Sequence, residues 1–71
     1  MFCHVLSGDL EREAKLFAKR RCTPGEYIIY RDQHGNVVAG FQNADRAALF
    51  LNLFDYDITR SFEADVKRSA A

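Results

Sequence analysis

Residues 27–41, with the sequence YIIYRDQHGNVVAGF, decide the fold of this chain. Residues 27–31 and 37–41 are rich in β-branched and aromatic side chains, which favour strands. The intervening DQHG fits a type I turn, because Asp is favoured at the first position of that turn and Gly at the fourth. We therefore predict a hairpin in which Asp32 pairs with Asn36. A two-residue loop would instead shift the register and move the side chains to the opposite face of the hairpin. One face of the hairpin is then predicted to carry Tyr27, Ile29, Ala39 and Phe41.

A helical pattern lies on each side of the hairpin. In residues 10–21, apolar side chains recur at i, i+4 and i+7, and a Lys-Arg-Arg run ends the segment, as the helix dipole favours. In residues 44–54, Asn43 is a suitable N-cap, since its side chain can accept hydrogen bonds from free backbone N–H groups. The core side of this second helix is predicted to consist of Ala44, Ala47, Ala48, Leu51 and Phe54.

The first and last segments determine the topology. Residues 2–6, FCHVL, favour a strand. Residues 55–63 mostly alternate polar and apolar side chains, which favours a strand, although Ile58, Phe62 and Val66 also recur at helical spacing. With the strand, the fold is α+β and the order is β-α-β-β-α-β, the ferredoxin-like arrangement, with two helices on one face of an antiparallel sheet. With the helix, the chain is a helix, a β-hairpin and a second helix.

Length and composition limit the classes of protein to which this chain can belong. The 71 residues, 48% of them hydrophobic, predict one small domain over residues 1–71, in which residues 64–71 either form a helix or fray. Ten basic and ten acidic residues give zero formal net charge, which removes the general attraction of nucleic acid phosphates. No stretch reaches the ~20 apolar residues of a membrane span, and no signal-peptide pattern is present. We therefore expect a cytoplasmic protein without a membrane partner.

Residue types that can bind metal or catalyse reactions are present, but their spacing is unfavourable. The ligand types of a zinc site are represented by Cys3, His4, Cys22 and His34. The close Cys and His pairs that let one turn present two ligands are missing. Cys22 could act with His34 and Asp32, but the last two fall in the predicted turn. The sequence has no G-x-S-x-G, H-E-x-x-H or glycine-rich phosphate loop. We therefore predict that the chain is not an enzyme and binds neither metal nor cofactor.

The outer faces of the two helices are predicted to bind a partner protein. Two leucines four residues apart lie opposite the predicted core side of the second helix, beside a phenylalanine, and such a group forms an apolar patch. The predicted contact residues are Leu49, Phe50 and Leu53 on the second helix and Arg12, Lys15 and Lys19 on the first. The resulting hypothesis is a small non-enzymatic protein-binding module, an adaptor, regulator or inhibitor. Its partner would present an apolar notch rimmed by acidic residues.

Arg12, Lys15 and Lys19 form a basic stripe on the first helix. This stripe also supports an alternative function, a nucleic-acid-binding module. RNA-recognition domains use this fold, but residues 36–41, NVVAGF, do not reproduce their RNP1 pattern. Nucleic acid is therefore the less favoured partner.

The residues on the sheet face opposite the helices indicate a second interaction, between two copies of the chain. In the preferred register this face exposes Ile28, Tyr30 and Val38, and an apolar open face is unusual in a monomer. We therefore predict a two-fold homodimer through it.

Overall fold

Four strands and two α-helices follow one another in the order β-α-β-β-α-β, as a computed structural model shows for residues 1–64. The elements are β1 (Phe2–Leu6), a 3-10 turn (Gly8–Leu10), α1 (Glu11–Arg21), β2 (Tyr27–Arg31), β3 (Val37–Phe41), α2 (Ala44–Leu53) and β4 (Ile58–Glu63). The chain is therefore an α+β protein. Because residues 58–63 form a strand, the alternative of a helix over this segment is wrong. The predicted tail, apart from Ala64, lies outside the described residues.

All four strands belong to one antiparallel sheet in the order β2-β3-β1-β4. The hairpin has the predicted register, with Tyr27 opposite Phe41 and Ile29 opposite Ala39. The turn is fixed by Asp32, whose carboxylate accepts hydrogen bonds from the N–H groups of His34, over 2.8 Å, and Asn36, over 3.0 Å. Gly35 closes the turn with a φ of +80°, a conformation that glycine adopts without steric cost.

The main core lies between the helices and one face of the sheet. Its buried members are Leu6, Ala14, Phe17, Val37, Ala39, Phe41, Ala47 and Phe50. Phe17 contacts Phe41 and Phe50 edge to face, with ring centroids 5.7 and 5.1 Å apart. Phe50 also stacks on Phe54 at 4.3 Å. Aromatic pairs of this kind contribute ~0.5–1.5 kcal/mol each beyond the area that they bury.

The core side of α2 differs from the prediction. Its buried residues are Ala47 and Phe50, and Phe54 packs against them. Three residues of the predicted core side are instead exposed: Ala44, Ala48 and Leu51. Burying a phenylalanine removes more apolar area from water than burying alanines, so the helix is oriented by Phe50. The aromatic contacts with Phe17 and Phe41 favour the same orientation.

The sheet face opposite the helices carries a smaller cluster of buried residues. Cys3, Val5 and Val38 are each 2% exposed there. Val38 therefore does not belong to an exposed dimer face, which corrects the sequence-based assignment. Ile28 and Tyr30, toward the edge of the same face, are 43% and 46% exposed.

No helix among residues 1–64 has the length and apolar character needed to cross a membrane. The cytoplasmic location stays a prediction.

Candidate functional site

Helix α1 directs a basic surface away from the core. Its core side is occupied by Ala14, Phe17 and Ala18. The helix carries two acidic residues in its first turn and three basic residues in its last turn, an order that the helix dipole stabilises. The exposed cations of this helix are Arg12, Lys15, Lys19, Arg20 and Arg21.

Glu11 neutralises part of this basic surface. Its carboxylate lies 2.8 Å from Nζ of Lys15 and 2.8 Å from Nη2 of Arg31. Hydrogen bonds from Lys15 and then Arg31 hold the pKa of Glu11 below its ordinary value. Lys15 therefore belongs to an ion pair within its own helix. Arg12 and Lys19, the other cations of the predicted stripe, form no ion pair within residues 1–64.

A shallow groove separates α1 from the C-terminal end of α2. Its lining consists of Glu13, Leu16, Phe17, Arg20, Arg21, Leu53 and Phe54. Phe17 and Phe54 contact each other edge to face at 6.4 Å, and both belong to the aromatic core or pack against it. Leu16 and Leu53 are much more accessible, with 43% and 57% of their surfaces exposed. We call this lining the interhelical groove.

Leu53 is the only predicted apolar contact residue that lines the groove. Leu49 is half-buried and packs against the main core. Phe50 is fully buried, so it cannot contact a partner, which corrects its prediction as a contact residue. The cause is the orientation of α2 described above, because the side that buries Phe50 also brings Leu49 toward the core.

Leu16 is the exposed apolar residue of the groove that the sequence-based reasoning missed. It also borders a second depression on the outer side of α1, whose other lining residues are Glu11, Arg12, Lys15 and Lys19. Leu16 therefore connects the predicted basic stripe with the groove. A signal for it exists in the sequence, since it is a large apolar residue among the charged residues of the outer face.

The two cysteines are kept apart by the sheet. Cys3 belongs to the cluster on the face opposite the helices, whereas Cys22 packs against the main core. Burial raises the pKa of both thiols above the ordinary value. Between Met1 and Ala64, no group of three or more His, Cys, Asp or Glu residues is placed to hold a metal ion.

The histidines have structural surroundings. His34 lies exposed in the hairpin turn. His4 is buried, with hydrogen bonds to Ser61 and to the carbonyl oxygen of Ala47.

No known family model, curated protein or solved structure matches this chain. The function is therefore inferred from the chemical groups that line the interhelical groove. It offers apolar surface, two guanidinium groups and one carboxylate. Apolar surface beside charged groups can bind a ligand through burial and charge pairing.

Proposed function

We propose that this chain is a small non-enzymatic protein-binding module, an adaptor, regulator or inhibitor, that acts through the interhelical groove. The observation that carries the proposal is the placement of Leu16 and Leu53, 43% and 57% exposed, along one groove. Burying a leucine completely contributes ~1.5–3 kcal/mol. A small domain has few large apolar residues to leave in water, so two in one groove indicate that a partner covers them.

The charges at the groove indicate the chemistry of the partner. Arg20 and Arg21 lie at its rim, and Arg12 and Lys19 extend the basic surface along α1. A partner segment with an apolar side chain between acidic residues would fit both features. Charges at the rim of an interface mainly raise the association rate and make it depend on salt.

The fold is part of this proposal. We infer that the β-α-β-β-α-β order and the sheet together form a ferredoxin-like arrangement, with both helices on one face. Such a fold carries many unrelated functions, so it does not by itself favour one partner class.

A peptide-display selection against the folded chain tests the groove directly. We expect the selected peptides to share an apolar residue flanked by Asp or Glu. Leu16→Asp or Leu53→Asp should abolish their binding while the circular dichroism spectrum and thermal midpoint are retained. Leu51→Asp is the matched control, because Leu51 is 38% exposed on the same helix but does not line the groove.

The rim charges have their own kinetic test with the selected peptides. Arg20→Glu combined with Arg21→Glu should slow association more than it speeds dissociation. The proposal fails if no peptide is selected, or if the selected peptides bind both leucine variants as well as the unsubstituted chain.

The alternative of nucleic-acid binding depends on the basic surface of α1. RNA-recognition domains stack bases on aromatic residues of their central strands. On the face of β1 and β3 opposite the helices, the residues are instead Cys3, Val5, Val38 and Gly40. Affinity for single-stranded and duplex nucleic acid across a salt series distinguishes the two functions. A steep fall in affinity with salt, weakened by Arg12→Glu with Lys19→Glu, would replace the proposed function by this alternative.

A further inference from the structure

The two outer edges of the sheet differ in their protection. Edge strands expose unpaired backbone groups, and proteins usually block them with bulges, charges or proline. Beside β4, the register shifts between Val5 and Leu6, and Arg60 lies over the ring of Phe62. Strand β2 pairs with β3 in an unbroken register, and its sequence YIIYR has neither proline nor lysine. Its one cation, Arg31, is held by Glu11 and by the carbonyl oxygens of Gly8 and Gly35.

The hydrogen bonds at both ends of the hairpin show which backbone groups of β2 point outward. The N–H of Gln42 donates to the carbonyl of Glu26, and the N–H of Asp32 donates to the carbonyl of Asn36, each over 2.9 Å. Hydrogen-bonded and non-hydrogen-bonded pairs alternate along an antiparallel ladder. Even-numbered residues of β2 therefore bond to β3, and the odd-numbered residues 27, 29 and 31 direct their N–H and C=O groups away from it. No strand in the described part of the chain pairs with this edge.

We propose that the free edge of β2 pairs with the same edge of a second copy of this chain, antiparallel and centred on Ile29. In this register Ile29 lies opposite Ile29 of the second copy, and Tyr27 lies opposite Arg31. Every outward N–H group of one copy then meets an outward carbonyl of the other. A shift by one residue would place residues with outward backbone groups opposite residues that bond to β3. Side chains from one face of the sheet would then lie opposite side chains from the other face. A shift by two residues would leave an outward residue unpaired.

The side chains are self-complementary in the same register. Ile28 lies opposite Tyr30 of the second copy, which joins a β-branched to an aromatic side chain, a favourable cross-strand pair. Both residues are among the exposed large apolar residues of the chain. This edge pairing replaces the face-to-face dimer predicted from the sequence, for which Val38 is too deeply buried.

The acidic residues at the ends of β2 come opposite each other in this dimer, but both are engaged locally. One carboxylate oxygen of Glu26 accepts the N–H of Thr23 over 3.2 Å. The carboxylate of Asp32 is bonded within its own turn. The remaining repulsion between Glu26 and Asp32 is screened by salt, so added salt should strengthen the dimer.

The symmetry of the pairing favours a second copy over an unrelated strand. The two-fold axis passes midway between the two Ile29 residues, perpendicular to the sheet, and makes one continuous sheet from two. The helices of both copies then lie on the same side of it. The two interhelical grooves would also open on that side, although the dimer itself does not depend on their function.

Sedimentation of chemically synthesised chains tests the edge directly, and Cys22 provides a ligation site after Arg21. N-methylation of Ile29 removes one outward N–H group and keeps both the side chain and the bonds to β3. N-methylation of Ser61 is the matched control. Because Met1 and Ala64 are mutually hydrogen-bonded, alternation directs the N–H of Ser61 outward at the β4 edge.

We expect the unmodified chain to reach about twice its 8.1 kDa mass at ~100 µM. N-methyl-Ile29 should weaken association at least about tenfold, and N-methyl-Ser61 should leave it unchanged. Tyr30→Lys should also give a folded monomer, as judged from its circular dichroism spectrum. A chain that stays monomeric, or a dimer that survives N-methylation of Ile29, would overturn the proposal.

Discussion

Nε2 of His4 lies 3.0 Å from the carbonyl oxygen of Ala47, which joins the central strand β1 to helix α2. A carbonyl oxygen only accepts hydrogen bonds, so Nε2 donates. In the neutral imidazole, Nδ1 then accepts from the hydroxyl of Ser61, 2.6 Å away on β4. The ring also stacks on Phe50, with centroids 5.8 Å apart. One buried polar side chain therefore connects two strands with the helix above them.

Removing the hydroxyl of Ser61 should destabilise the fold. Ser61→Ala removes the partner of Nδ1 of His4 in a part-buried hydrogen bond, which costs ~0.5–1.5 kcal/mol. Urea denaturation should show a lower midpoint with an unchanged slope. Thr23→Ala is the control, because its exposed hydroxyl forms no hydrogen bond with residues 1–64. Equal midpoints for Ser61→Ala and the unsubstituted chain would contradict the proposed role of the pair.

Phe50 should be indispensable for stability, in contrast to the partner contact predicted from the sequence. Phe50→Ala removes the ring that contacts Phe17, Phe41 and Phe54, and such truncations cost ~3–5 kcal/mol. A domain of this length has a total stability of about 4–10 kcal/mol, so much of this variant should unfold at 37 °C. Leu51→Ala should change the free energy of unfolding by less than ~0.5 kcal/mol, because Leu51 is exposed. A folded Phe50→Ala variant with the original thermal midpoint would refute this arrangement of the core.

Glu11 should make the stability depend on pH in the acid range. Its pKa is lowered in the folded state, so its ion pairs stabilise the fold above the ordinary glutamate pKa of about 4.3. This contribution is lost as the pH falls through the lowered pKa. Glu11→Gln should therefore lower the thermal midpoint at about pH 7, by a few degrees at most, and leave it unchanged at about pH 2.

Glu13→Gln is the matched control for this titration, because Glu13 is exposed and forms no ion pair in the described residues. It should have little effect at either pH. Equal losses for Glu11→Gln at both pH values would show that its contribution is not electrostatic.

The two thiols should differ in their reactivity. Cys3 is 2% exposed, whereas Cys22 is half-buried, and the raised pKa of each keeps the thiolate fraction low. A thiol-reactive chromophore at about pH 7.5 should therefore label Cys22 slowly and Cys3 only as the chain unfolds. Both thiols should be labelled in denaturant without added reductant. Rapid labelling of Cys3 in the native protein would contradict its burial.

Chelation should leave the stability unchanged. A structural metal site contributes folding free energy, so its loss lowers the thermal midpoint. We expect the same midpoint with and without excess EDTA. A drop on chelation would identify a metal site and disprove the sequence-based expectation.

Local chemistry made the hairpin predictable, because Asp32 and Gly35 specify the turn and strand alternation then sets the register. The orientation of α2 could not be predicted in the same way. Its sequence ADRAALFLNL has apolar residues on several sides, so helical periodicity does not select one of them. Contacts of Phe50 with residues from α1 and β3 decide the orientation. The groove itself was not predicted, because Leu53 and Leu16 come from different helices and only Leu53 was among the predicted contact residues.

The central position of β1 has a consequence for the order of folding. Both of its partner strands come later in the chain, and Phe2 pairs with Phe41 on one side and Glu63 on the other. Only β2 and β3 can pair locally, so the hairpin should form first. Strand β1 should pair with β3 afterwards. Substitutions in the hairpin turn should then slow refolding in stopped-flow measurements, whereas substitutions in β4 should mainly speed unfolding. Until β1 pairs with β3, the apolar strand FCHVL has both edges open, and this is the stage at which the chain is most exposed to aggregation.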